Sequence, residues 1–208
     1  MNEEFKNILG NIDEDTAKLQ LPDPILRDFY QDEQDRVFWF TNEVSVCAHD
    51  LIRMIIRCNK EDKGIPTEDR VPIKIFIDSP GGDVLFMWTI INFIRISKTK
   101  IITINYCSAY SAAAEILAAG HERYALPGSH VMLHTGQCSF TGEATQVAST
   151  KKYFDALTKK TTEYLLSRTK IDPKKFKKKA VSDWYLSEEE ALELGVVDKI
   201  VEDIDELF

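Results

Sequence analysis

Residues Val71–Tyr106 read VPIKIFIDSPGGDVLFMWTIINFIRISKTKIITINY. The first run, VPIKIFID, is β-branched and aromatic and reads as a strand ending at Asp78. A Pro-Gly-Gly turn follows, and then Val84–Ile96 is an apolar helical run. KIITINY, Lys100–Tyr106, is a second strand. A strand, a crossover helix and a strand within so few residues make a βαβ unit, which implies parallel pairing and an α/β fold.

Working outward, the same alternation continues on both sides. RVFWFT (Arg36–Thr41) reads as a short buried strand, and Asn42–Cys58 carries helical apolar spacing. NKEDKGIPTEDR reads as a charged surface loop. Downstream, an alanine-rich helix is expected over residues 111–119, then short strands at RYALP and HVMLH. A long helix is expected from about residue 142 to 167, about seven turns at 3.6 residues per turn. Helix starts follow near Pro173 and at Ser187, where Glu190 completes a capping box and Gly195 is a natural stop. VVDKIV is the last strand. Residues 1–22 read as a polar leader ending at LPDP, and 23–208 as one domain.

Two helices speak of partners. Val84–Ile96 is apolar almost all round, which predicts burial on every side, within the domain or against another subunit. The long helix sets Val147, Thr150, Phe154, Leu157, Thr161 and Tyr164 at alternating steps of three and four. That seam suits a helical partner between subunits, or packing on the parent sheet.

Composition narrows the function. The 208 residues carry 26 Lys+Arg against 34 Asp+Glu, a formal net charge of −8. An acidic chain without a basic stripe argues against nucleic-acid binding, and the run KIDPKKFKKK reads as a solvated helix face. Four cysteines show no CxxC spacing, so neither a disulfide framework nor a metal site is expected, and a reducing cytoplasm is the default. No signal peptide and no run long enough to span a membrane is read.

Four stretches carry chemistry. In IDSPGGD, Pro80 and two glycines make a tight turn whose backbone N–H groups can face a cleft; no G-x-G-x-x-G fingerprint accompanies it. In NYCSAYSAAAEILAAG, Asn105–Gly120, Ser111 stands at the head of a helix. It is either an N-cap or a nucleophile whose oxyanion the Ala112 and Gly82 N–H groups hold. The flanking residues are not G-x-S-x-G, so a hydrolase nucleophile elbow is not expected. In SHVMLHTG, His134 ends a strand, a good place for a base. His130 is four residues away, about 13 Å along a strand, too far to share a metal with it. His49, His121 and His130 read as structural. In VSDWYLSEEEALELGVVDKI, Asp183 either orients an imidazole or is a surface carboxylate before a capped helix.

Together, IFIDSPGGD, SAYSAAAEILAAG, RYALPGSHVMLH, FTGEATQV and SDWYLSEEEALELGVVDKI resemble, in order and spacing, the proteolytic subunit of the Clp protease, the ClpP serine peptidase family. The resemblance runs from about Phe29 to Val201. It implies a crotonase-like α/β core with a projecting handle helix, and acyl transfer by Ser111 as nucleophile, His134 as general base and Asp183 as orienting acid. Gly82 and Ala112 would form the oxyanion hole, with no cofactor and no metal. It also implies two stacked seven-membered rings, a tetradecamer of this chain, fed with unfolded polypeptides by an AAA+ ATPase in the cytoplasm. Departures from the family pattern are Tyr110 before the serine, Cys107 and Ser108 upstream, Thr135–Gly136 after the histidine, Ser182 before the aspartate, a long charged loop and an N-terminus unlike the axial gate. They motivate an alternative, a weakly active structural or regulatory ring subunit. An acyl-CoA enzyme using the same glycine turn is a third reading, which leaves Ser111, His134 and Asp183 without a purpose.

Overall fold

Strand β3 is the hub of a seven-stranded sheet with the order β1-β2-β3-β4-β7, and β5 and β6 branching from it. The computed structural model describes residues 27–207, so the expected leader over residues 1–22 lies outside them. The chain divides into two compact units, Met1–Asp35 and Arg36–Phe208. In the first, Arg27–Gln34 is a helix, α1, closed by the Asp35 N–H donating to the Gln31 carbonyl at 2.9 Å.

In the second unit the strands are β1 (Val37–Phe40), β2 (Ile73–Ser79), β3 (Ile101–Tyr110), β4 (Glu122–Ala125), β5 (His130–Leu133), β6 (Trp184–Ser187) and β7 (Lys199–Ile200). All pairings are parallel except β5 with β6. β2 is buried at nearly every position, as a parallel strand covered on both faces must be. One face packs against helices α2 (Ala48–Glu61), α3 (Val84–Ile96) and α4 (Ala112–Ala119) through Leu51, Ile55, Ile90, Ile94 and Leu117. The other holds a smaller cluster of Val37, Phe76, Ile104, Val201 and Leu207. The mixed α/β architecture expected from the sequence is present.

The long helix α5 spans Ala144–Arg168, and Leu165 is its buried residue. Its C-terminal half is clamped to α3 and α4. The Trp88 indole N–H donates to Thr161 Oγ1 at 3.0 Å, the Lys160 ammonium lies 4.2 Å over the Trp88 ring, and the Arg168 guanidinium donates to the Ala118 and Gly120 carbonyls. Within this unit the N-terminal half stays largely exposed, with Val147, Phe154 and Leu157 of the seam half-buried. The last helices are α6 (Pro173–Lys179), capped by Asp172, and α7 (Glu188–Glu193), whose Ser187–Glu190 capping box forms as the sequence predicts.

Three local expectations differ from the structure, and one is narrowed by it. The α2 region begins at Ala48 rather than Asn42, because Val44 is drawn into a bridge with Gly82. The charged loop is not wholly solvated: α2 continues to Glu61, and Asp62 is buried where the Arg36 guanidinium grips both its oxygens at 2.8 Å. Of the two ways to cover helix α3, burial within the domain is incomplete, since Leu85 and Ile96 are exposed there. Strand β6 stands where the sequence reading placed only a pre-helix segment; pairing with β5 creates it.

Candidate active site

The β3–β5–β6 branch assembles the site. The Ser111 N–H donates to the Met132 carbonyl at 2.8 Å, fixing the end of β3 beside the end of β5. In the antiparallel β5–β6 register Leu133 faces Trp184, so the next pair along is His134 opposite Asp183. Three residues far apart in sequence thereby meet at one end of the sheet, beyond the carboxyl ends of β3 and β5, where open α/β sheets hold their ligands.

Ser111 takes φ 53°, ψ −126°, one of two non-glycine residues with positive φ among those described. Such a conformation costs about 1–3 kcal/mol and persists only where the surroundings impose it. The strained strand-to-helix turn is therefore present without the G-x-S-x-G glycines. Although Ser111 occupies the N-cap position of α4, its side chain caps nothing. Instead Ser111 Oγ lies 2.6 Å from His134 Nε2. On the other side of the ring, His134 Nδ1 is 3.7 Å from Asp183 Oδ1, and Asp183 is 46% exposed against 15% for the histidine. That second contact is an ion-pair distance, longer than a good hydrogen bond.

The glycine turn presses on the same point. The Ser79 hydroxyl donates to the Asn42 carbonyl at 2.6 Å and accepts from the Gly81 N–H at 3.2 Å. Gly81 has φ 91°, and a Cβ there would meet the Tyr110 carbonyl oxygen at 2.5 Å. Gly82 has φ 146° and lies against Val44, whose N–H donates to the Gly81 carbonyl at 2.7 Å while its carbonyl accepts from Asp83 at 2.8 Å. This bridge leaves the Gly82 N–H out. Ala112 is the first residue of α4, so its N–H has no acceptor inside the helix. Gly82, Ser111, Ala112 and His134 line one cleft of about 620 Å³, to which Phe154, Leu157 and Thr161 of α5 also contribute.

A matching family model describes the Clp protease and covers residues 35–204. The chain belongs to the Clp protease family. A relative from Treponema denticola, named ATP-dependent Clp protease proteolytic subunit 2, is 34% identical over 131 residues, 62% of this chain. The matched part covers 66% of that relative, a little under two thirds of its length.

For a Clp protease family chain, the unusual residue before the serine is accounted for structurally. Tyr110 meets Tyr185 of β6 edge-to-face, ring centroids 5.6 Å apart, and so packs on the β3–β6 side, outside the lining of the cleft. Ser108 donates to Asp78 Oδ1 at 2.5 Å and holds β2 to β3. His130 is exposed, His121 Nδ1 accepts from the Ile101 N–H at 2.9 Å, and His49 stacks edge-on to Phe86. Among the described residues no group of three or more His, Cys, Asp or Glu side chains is arranged to hold a metal ion, the four cysteines are free, and no helix is long and apolar enough to cross a membrane.

One residue of the cleft escaped the sequence reading. Glu115 lies one turn into α4, 6% exposed, on the same wall as Ser111. Burial pushes its carboxyl up to about 8. The signal was visible as the one charged residue in the helical run AAAEILAA.

Proposed function

We propose that this chain is a serine endopeptidase. The observation that carries the reading is Ser111 Oγ at 2.6 Å from His134 Nε2, on a strained backbone that turns the hydroxyl away from helix capping. Ser111 Oγ attacks the carbonyl carbon of a peptide as His134 Nε2 takes its proton. The developing oxyanion is held by the Gly82 and Ala112 N–H groups. His134 then gives the proton to the leaving amine, and the C–N bond breaks. A water, deprotonated by the same ring, releases the acyl group and restores Ser111. Asp183 orients His134 and stabilises the imidazolium. No metal or cofactor takes part.

Family membership, and the name of the Treponema relative, support the wider reading: a homo-oligomer of two stacked seven-membered rings that encloses the cleft, receives unfolded polypeptides from an AAA+ ATPase and works in the cytoplasm. The exposed N-terminal half of α5 suits the handle between subunits. Residues 23–208 then act as the peptidase domain, with residues 1–22 as a leader. The test is digestion of a permanently unfolded polypeptide by the purified chain, products read by mass spectrometry, with Ser111→Ala as the control. Fragments from the wild type alone support the reading; no fragments from a correctly assembled wild type contradict it.

A second reading, a weakly active structural ring subunit, draws on the 3.7 Å His134–Asp183 contact and the half-exposed aspartate. It predicts that the chain assembles with a more active partner subunit and adds little turnover of its own.

A further inference from the structure

Glu115 is out of place by the ordinary rules of a protein interior. It sits in the middle of α4, where Ala113, Ala114, Ile116 and Leu117 are fully buried. A carboxylate taken from water without a partner is strongly disfavoured, and natural cores avoid it unless a charge or donor meets it. Here no other residue does: Glu115 Oε2 is buried without a hydrogen-bond partner among the described residues, and the hydrogen bond the carboxyl does accept is from its own backbone N–H. Alanine or leucine would fill a helix–sheet core better, so packing does not explain the residue.

Its position suggests what does. Glu115 lines the cleft that also carries Ser111 and His134. It is four residues after Ser111 on one helix, about 6 Å along the axis at 1.5 Å per residue. The cleft that holds both is lined by the apolar side chains of Met87, Leu157 and Phe176 and by Thr158, Thr161 and Thr162, and no Lys or Arg lines it. A cleft with apolar side chains, threonine hydroxyls and an acid in its wall fits a long side chain whose methylenes are apolar and whose tip is cationic. Burial holds the carboxyl largely protonated at neutral pH, and a bound cation would draw the proton off and replace it as partner.

We infer that Glu115 makes this cleft select a cationic side chain, Lys or Arg, on the acyl side of the bond that Ser111 attacks. The inference rests on the peptidase reading for its substrate, and on the cleft alone for its cation site. Hydrophobic walls by themselves discriminate weakly between apolar side chains, whereas a buried acid left unpaired rejects residues that cannot meet it.

The test uses fluorogenic peptides that differ only in the acyl-side residue, Arg, Lys, Leu or Phe, with the full chain and its Glu115→Gln and Glu115→Asp variants. Expected is an Arg-to-Leu ratio of kcat/KM of at least about tenfold in the wild type. It should collapse toward unity in Glu115→Gln and be partly kept in Glu115→Asp, since a charge pair in a dry cleft is worth at least a factor of ten. A wild type that favours Leu or Phe, or a ratio unaltered in Glu115→Gln, overturns the inference. Benzamidine binding by calorimetry gives a readout free of turnover. It should bind wild type and Ser111→Ala alike and Glu115→Gln about tenfold more weakly; equal binding to Glu115→Gln, or none to the wild type, overturns the cation site. Labelling of Ser111 by a fluorophosphonate separates the two readings. Labelling without cation preference removes this inference alone, while benzamidine binding without labelling removes the peptidase reading alone.

Discussion

Gly81 and Ser111 are in direct contact across the glycine turn: a Cβ on Gly81 would stand 2.8 Å from the Ser111 Cβ. The turn is thus part of what holds the serine in its strained backbone. Gly81→Ala should displace the head of α4. The positive φ and the overpacking together should cost roughly 2–4 kcal/mol, read by urea denaturation. Reaction of Ser111 with a phosphonate should slow in parallel, even in the fraction that remains folded.

The half-open His134–Asp183 contact predicts a moderate role for the carboxylate. A buried triad aspartate replaced by Asn loses about 10⁴-fold in kcat. Asp183 is 46% exposed and 3.7 Å away, so Asp183→Asn should lose about 10- to 1,000-fold in kcat/KM, with water screening part of the effect. A loss as large as that of Ser111→Ala would mean that the pair closes up when substrate binds.

Asp62 predicts an acid-sensitive contribution to stability. Its hydrogen bonds from Arg36, with a further one from Thr99, hold its carboxyl below the usual range. A lowered folded pKa stabilises the fold above the unfolded value of about 3.9, and that stability is lost as pH falls through the folded pKa. Asp62→Asn should therefore cost about 3 kcal/mol at pH 7. The gap from wild type should narrow below about pH 4, where the unfolded carboxyl protonates. Denaturation midpoints across that range check it.

Glu115 has the opposite sign. Its carboxyl, raised to about 8, binds a proton in the folded state that the unfolded chain has released. Stability from this group is full below the unfolded pKa and lost as pH rises toward 8. Glu115→Gln should then gain on the wild type steadily from pH 5 to pH 8. The other titratable groups of the cleft, Asp83, His134, Cys138 and Asp155, are common to both chains and cancel in the comparison.

Trp88 should control the docked half of α5. Trp88→Phe removes the indole hydrogen bond to Thr161 and weakens the Lys160 contact. Each is worth about 1 kcal/mol, so amide exchange over residues 157–168 should speed by about tenfold or more, with the β-sheet core unchanged.

The sheet was readable because its strands are written in β-branched runs such as KIFI and IITI, whose burial on both faces leaves little ambiguity. Strand β6 was not. WYLS is four residues with one exposed aromatic, and it is a strand only because β5 lies beside it. Local sequence likewise left Ser111 open between cap and nucleophile, since the difference lies in where its Oγ points and in a partner 23 residues away. Asp183 needed the β5–β6 register to bring it opposite His134. A single acid in a helix usually faces water, and only the fold shows that Glu115 is buried at the edge of a cleft.

Peptide cleavage by this chain requires Ser111 as the nucleophile. The most direct measurement is intact mass after treatment with a fluorophosphonate, followed by peptide mapping. One phosphonyl group per chain is expected, carried on Ser111, absent in Ser111→Ala and slow to form in His134→Ala. A folded wild type that takes up no label, or an adduct that persists in Ser111→Ala, would contradict it.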